Sequence, residues 1–455
     1  MSDACVNVPA QSSPTPLAER ISSLDVLRGV AVLGILLMNI VAFGMPLAAY
    51  NDPSTYGGST GVNLATWIVT NVLFEGTFRT MFSLLFGAGV ILFLTRAEQR
   101  CNSIQAADLY FRRSLWLIVF GVIHAYLLLW IGEILYAYGV TALLLFVFRH
   151  VGPRKLLIIG LIVLAVLVPK RWFHAREVEE KETYYLTALA SYRNGDEMTR
   201  WHVDAFAAWR KIELTYKPAA DDIRREIEMH QGSYLTNLRG LAPINTVVQA
   251  EWYYRWNFWD VLGAMFIGMA LLKLRVLSAE RSQAAYMAMA AIGYCVGLAL
   301  NIWETKAIID SQFHLMAIHK TTLTYDVGRL AMTAGHVGLV LWLCKSPACT
   351  WLCACLAAVG RMALTNYVMQ TVICVTIFSG FGCGLYGELQ RYQLYYVVAA
   401  IWLVQLLSSP LWLRYCRFGP LEWLWRSLTY GRLQPIFRAA NDEPPLGGSP
   451  TQPAA

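Results

Sequence analysis

The sequence predicts an all-α membrane protein: about ten transmembrane helices with one long periplasmic helical loop. Three observations carry this. Of 455 residues, 56% are hydrophobic and 15% charged, with a mean hydropathy of +0.44, a composition foreign to soluble enzymes. Apolar runs long enough to cross a bilayer recur along the chain. Lys and Arg then alternate between two sides, nineteen on one and only Lys306, Lys320 and Arg391 in the short loops of the other. That asymmetry puts both termini in the cytoplasm. It also accounts for the net charge of +7, so no nucleic-acid partner is expected. The 16 Trp and 23 Tyr suit the two interfaces.

Residues 1–19 are polar and Pro/Ser-rich, and are expected to be a disordered tail. They carry no basic n-region, so the first span should remain as an uncleaved anchor. An N-terminal bundle over 20–169 follows, with spans near 26–47, 66–95, 111–130, 134–148 and 155–169. The first opens on Asp25 and Arg28, three apart and so on one helix face. Arg28, Val32, Ile35 and Asn39 continue that stripe. The second run is too long for one crossing. Glu75-Gly76 should break it, with a span starting near Thr77, and Glu75 and Arg79, four apart, should pair. The third carries His124 and the fourth follows Glu133 in the tight turn WIGEIL.

Residues 170–256 hold 13 Lys/Arg and 13 Asp/Glu, a balanced surface for the periplasmic loop. The spacing of Tyr185, Leu189 and Tyr192 predicts amphipathic helices. Such a loop serves as a lid or acceptor-binding cap, or simply packs over the bundle. A C-terminal bundle over 257–437 has spans near 257–273, 282–303, 324–343, 361–379 and 393–413 and a cytoplasmic end motif. Asp326 and Arg329 should pair on the eighth span, with His336 on the same face as Arg329. Asn366 and Gln370 share a face on the ninth, behind Arg361. A second disordered tail is expected over 438–455.

Polar groups within spans are costly and mark interiors or paths. Helix-to-helix pairing is the simplest reading of Asp25, Glu75, Asp326 and Arg329. His124 stands out, because imidazole alone exchanges protons near neutrality without special tuning; the alternative is a structural hydrogen bond. Ten Cys form no disulfide framework. Cys344, Cys349, Cys353 and Cys355 cluster without a His at zinc spacing, so no metal site is expected. No Walker loop, GxGxxG, HExxH or GxSxG occurs.

Several stretches together resemble the YeiB-like proteins, multi-span membrane proteins of bacteria. These are LDVLRGVAVLGILLMNI (24–40), FRTMFSLLFGAGV (78–90), GVIHAYLLLWIGEILYAYG (121–139), GSYLTNLRG (232–240), GRMALTNYVMQTVI (360–373) and FGPLEWLWRSLTYGRLQP (418–435). The resemblance covers about 20–437. The family usually has Asp where this chain has Glu133. It is grouped with transmembrane acyltransferases similar to the lysosomal heparan-glucosaminide acetyltransferase. That grouping implies transfer of an acyl group, acetyl foremost, from cytosolic acetyl-CoA to an envelope glycan or lipid acceptor, with no permanently bound cofactor. Other branches place a His on the first span, where Asn39 stands here, so His124 becomes the candidate base. Arg28, Arg79 and Arg361, with Asn366, would then hold the donor. Glu133 would fix the His124 tautomer, and Asn39 and Asn366 would stabilise an oxyanion. A transporter or lipid flippase, or a partner-binding membrane protein, are the alternatives.

Overall fold

The computed structural model describes residues 21–438, so the tail expected at 1–19, and that expected over 438–455 apart from Arg438, lie outside the described residues. Among these residues the chain is helical, with no strand beyond an isolated bridge between Cys416 and Phe437. The N-terminal half contains α1 (Ser22–Gly44), α2 (Ala48–Asn51), α3 (Gly61–Phe74), α4 (Thr77–Arg100), α5 (Ser103–Tyr126), α6 (Leu135–Leu145) and α7 (Pro153–Ala165). The long loop forms α8 (Leu167–Arg193), α9 (Arg200–Tyr216), α10 (Ala220–His230), α11 (Tyr234–Val247) and a π-helical stretch, Val248–Asn257. The chain then continues as α12 (Phe258–Lys273), α13 (Gln283–Asp310), α14 (Leu315–Cys344), α15 (Thr350–Arg361), α16 (Ala363–Phe378), α17 (Arg391–Tyr415) and α18 (Pro420–Tyr430).

Six helical segments are long and apolar enough to cross a membrane, and α15 with α16, bent by 79°, forms either a broken seventh span or a re-entrant loop. Helices α5, α6 and α12 lie on the third, fourth and sixth expected spans but are not among these. The chain is thus a multi-pass membrane protein, and the count of ten remains an expectation. The break foreseen at Glu75-Gly76 is present. Gly76 adopts φ +67°, a left-handed conformation that ends α3 and restarts the chain as α4.

Helix α1 is the central post, packed against α3, α4, α14, α15, α16 and α17. Its approach to α15 is backbone on backbone. A Cβ at Gly29 would fall on the Leu356 carbonyl, and one at Gly360 on that of Asp25. This crossing sets Arg28 and Arg361 around one space.

The loop docks on the end of the bundle opposite the basic residues. Tyr185 stacks on Trp209 at 5.4 Å, and Val178 and Trp209 share a small core with Leu315 and Met316 of α14. The Asn of GSYLTNLRG, Asn237, is fully buried. Its amide donates to the carbonyls of Met229 and Ser233, each at 3.0 Å, and so ties the α10–α11 turn. Gly380 N–H donates to the His230 carbonyl at 2.9 Å, fastening that turn to the end of α16.

Candidate functional site

A cavity of about 260 Å³ opens among α1, α4, α5, α6, α15, α16 and α18. Its charged lining is Asp25, Arg28, Arg96, Arg113, Arg361, Glu422 and Arg426. Five guanidiniums thus face two carboxylates, and both carboxylates are engaged. Asp25 accepts from Arg28 at 2.9 Å. Glu422 caps α16: the bend at Met362 frees N–H groups at that helix start, and Glu422 accepts from Leu364 N at 2.7 Å, Thr365 N at 3.1 Å and the Thr365 hydroxyl at 2.6 Å. Burial raises the Glu422 carboxyl above its ordinary range, against the pull of those hydrogen bonds.

The FGPLEWLWR motif has a local reason to hold this position. Pro420 starts α18 and Gly431, at φ +65°, ends it. Between them Trp425 lies 3.8 Å beneath the Arg113 guanidinium and donates its indole N–H to the Arg113 carbonyl at 2.9 Å. Arg426 stacks on Phe418 at 4.6 Å. Deeper in, the walls are apolar and aromatic: Phe82, Phe86, Phe93, Leu117, Tyr138 and Tyr367. Phe82 stacks on Tyr138, whose hydroxyl meets that of Ser83 at 2.8 Å.

His124 stands one ring behind the cavity wall, beyond Tyr367. Ser114 and Leu117 line the cavity from α5, and His124 follows Leu117 by seven residues on the same face. Its ring, 1% exposed, meets the edge of Tyr367 at 5.0 Å between centroids. Its Nε2 is 2.8 Å from the Thr371 hydroxyl. Its Nδ1 is 3.9 Å from Glu133 Oε1 and has no hydrogen-bond partner. Glu133 itself accepts backbone N–H groups at the start of α6, from Leu135 and from Tyr136 at 3.0 Å. The fold therefore brings Glu133 to His124 at ion-pair rather than hydrogen-bond distance.

Other expected site residues stand elsewhere. Arg79 does not line the cavity; it pairs with Asp260 at 2.5 Å. Asp260 also meets Arg329 at 2.6 Å, Arg329 meets Asp326 at 2.8 Å, and Arg171 meets Asp326 at 2.8 Å. The expected Asp326–Arg329 pair is therefore one link in a network joining α4, α8, α12 and α14. The expected Glu75–Arg79 contact is replaced. Glu75 accepts from the hydroxyls of Tyr50 at 2.9 Å and Tyr325 at 3.1 Å, because a partner from another helix fits Arg79 better than the one four residues back. Asn366, fully buried, donates to the Val359 carbonyl at 3.0 Å and the Ser409 hydroxyl at 3.1 Å. It joins α16 to α15 and α17 and does not line the cavity. Asn39 is half-buried and lines no part of the cavity. His336 bonds the Tyr294 hydroxyl and the Leu73 carbonyl, each at 2.9 Å, and not Arg329.

Sequence reasoning missed Arg96, Arg113, Arg426 and Glu422 at the cavity, and Thr371 at His124. In the sequence the three arginines read only as orienting charge. Among the described residues no cluster of metal ligands occurs.

Residues 271–432 match a family described as a protein of unknown function, DUF418. The chain is 31% identical over 417 residues to the uncharacterized protein YeiB of Escherichia coli (strain K12), covering 90% of this chain and 96% of that one. It is 28% identical over 428 residues to the uncharacterized protein YxaH of Bacillus subtilis (strain 168), covering 93% and 97%. No solved structure matches.

Proposed function

The chain belongs to the YeiB-like family, and from that premise we propose that it is an integral-membrane acyltransferase of the bacterial inner membrane. In this reading the basic end faces the cytoplasm, and an acyl-CoA, acetyl-CoA foremost, occupies the cavity. The acyl group passes to a hydroxyl acceptor on the side of the 170–256 loop. One observation carries the reading: an arginine-lined, aromatic-walled cavity has in its wall Tyr367, whose ring meets the buried His124 of a His124–Thr371–Glu133 cluster.

The chemistry follows from the residues. Guanidiniums bind phosphate through paired, charge-assisted hydrogen bonds, and CoA carries its phosphates at the end that would lie among Arg28, Arg113 and Arg361. The apolar walls suit the pantetheine arm and a short acyl chain. His124 takes the acceptor hydroxyl proton as the oxygen bonds to the thioester carbonyl carbon. The carbon–sulfur bond breaks, and the proton passes from His124 to the departing thiolate. Glu133 steadies the transient imidazolium across 3.9 Å. Arg79, Asn366 and Asn39 take no part in this scheme.

Binding to purified protein tests it. Acetyl-CoA binds, and an acetyl-pantetheine thioester lacking the phosphates binds weakly. Arg361→Gln and Arg113→Gln each weaken acetyl-CoA by roughly tenfold or more, the value of a charge-assisted hydrogen bond. Absence of acetyl-CoA binding overturns the proposal. The runner-up, a transporter or flippase, uses the same cavity as a solute path, and anionic substrate flux into vesicles without CoA would favour it.

A further inference from the structure

Tyr367 stands between the basic cavity and His124. It lines the cavity on one side, and on the other its ring meets the imidazole edge-on, 5.0 Å between centroids. One turn further along α16, the Thr371 hydroxyl holds His124 Nε2 at 2.8 Å. With the ring in this place His124 and Thr371 are each 1% exposed, and neither lines the cavity.

The ring is lightly held. Its hydroxyl donates to the Gly132 carbonyl at 3.3 Å, longer than the usual ~2.5–3.0 Å of an O–H donor. A long side chain on a helix has two favoured χ1 positions, and the cavity beside this one gives the ring room to turn. The turn that receives the hydroxyl is itself poorly satisfied. Leu129 adopts φ +57°, a left-handed backbone that is costly for any residue with a Cβ. The Trp130 indole N–H, on a side chain 2% exposed, has no hydrogen-bond partner. Glu133, at the end of the same turn, lies 3.9 Å from His124 Nδ1, which also has no hydrogen-bond partner. Strain of this kind collects at clamps and switch regions, where a second arrangement relieves it.

We propose that Tyr367 is a gate between the basic cavity and His124: a positioning residue whose ring closes the cavity in this structure and turns aside to join it to His124 and Thr371. The gate rests on the transferase reading for its purpose, since it supplies the movement by which a thioester arm in the cavity reaches the base. An arm long enough to pass the ring fits only the open arrangement and therefore favours it. Release of the hydroxyl also frees the turn that carries Glu133 to close the gap to Nδ1.

Thiol accessibility tests the gate without requiring transfer. Thr371→Cys is made in the full chain and exposed in membranes to an impermeant, sulfonate-bearing methanethiosulfonate, added at the basic end in inverted vesicles or at the loop end in spheroplasts. The exposed Cys383, close in the chain to the Gly380 that meets the loop, checks sidedness, and peptide mass reads each cysteine. From the basic end, adding Tyr367→Ala should speed the reaction of the Thr371→Cys thiol by at least about tenfold, because a minor open state is typically populated at ~0.1–10%. Tyr367→Phe loses only the bond to Gly132 and should speed it roughly two- to fivefold, the value of one weak hydrogen bond. Cys374, fully buried three residues further along α16, should stay unreactive in both. If Tyr367→Ala exposes Cys374 as well, α16 has loosened and Tyr367→Phe decides: a faster Thr371→Cys reaction with Cys374 silent supports the gate, and an unchanged one overturns it. No acceleration in Tyr367→Ala, or reaction from the loop end alone, overturns the gate. Acetyl-CoA binding by the wild type is measured separately. Its absence overturns the transferase reading and with it the purpose of the gate, whereas a gate that fails in a protein that binds acetyl-CoA falls alone.

Discussion

Replacing Asp260 by Asn should cost far more stability than its place at the start of α12 indicates. Its carboxylate is 9% exposed and meets two guanidiniums, Arg79 at 2.5 Å and Arg329 at 2.6 Å, the latter only 1% exposed. Arg329 keeps Asp326 at 2.8 Å, but Arg79 loses the only carboxylate within ion-pair distance among the described residues. Removing one partner of a buried pair typically costs about 3–5 kcal/mol. Arg79→Gln is milder, at about 1–3 kcal/mol, because its side chain is 31% exposed and Asp260 retains Arg329. The double variant removes one charge of each sign, so it should lie below the sum of the two by at least about 1 kcal/mol. Unfolding in mild detergent, followed by tryptophan fluorescence, measures all three. Acetyl-CoA binding to Arg79→Gln should be unchanged, unlike that to Arg361→Gln. Additivity within about 0.5 kcal/mol, or a cost below about 1 kcal/mol for Asp260→Asn, would refute the network as the reason these residues are there.

Gly360→Ala drives a Cβ into the Asp25 carbonyl of α1. It should lower stability by about 1–3 kcal/mol and weaken acetyl-CoA binding by spreading Arg28 from Arg361; wild-type behaviour in both would show that the helices separate freely. His230 is held at about 4, below the ordinary imidazole value of 6.5, so the unfolded chain binds its proton first as pH falls. Its contribution is complete above pH 6.5 and is lost down to about pH 4, up to about 3 kcal/mol. Unfolding of His230→Gln should therefore depend less on pH over that window, and an unchanged slope would remove His230 as the cause. An introduced Ser191→Cys should be labelled by a charged reagent in intact spheroplasts; labelling only after lysis would reverse the proposed orientation.

Much of the bundle is legible in local sequence. The Glu75-Gly76 break follows from a run too long for one crossing, and Asp25–Arg28 and Asp326–Arg329 follow from helical spacing. Spacing fails where partners come from another helix. Glu75 and Arg79 sit four apart yet form no ion pair with each other, because Tyr50 and Tyr325 reach one and Asp260 the other. Nothing near Asp260 in the chain announces two arginines from α4 and α14. Arg96, Arg113 and Arg426 read as topological charge, and only the docking of α18 turns such residues inward on a cavity. The unusual position of His124 was visible, whereas Thr371, 247 residues away, was not. FGPLEWLWR was conspicuous as a motif, but its role as cap of α16 and wall of the cavity depends on the bend at Met362, which no periodicity encodes.

The most direct test of the account is acyl transfer by His124→Gln. Glutamine keeps a hydrogen-bonding side chain for Thr371 but takes no proton, and general-base help is worth roughly 10²–10⁴ in rate. With wild-type protein transferring label from acetyl-CoA, the variant should fold, bind acetyl-CoA as tightly, and transfer label slower by that factor. Full transfer by His124→Gln would contradict the account, leaving His124 as a structural link between α5 and α16.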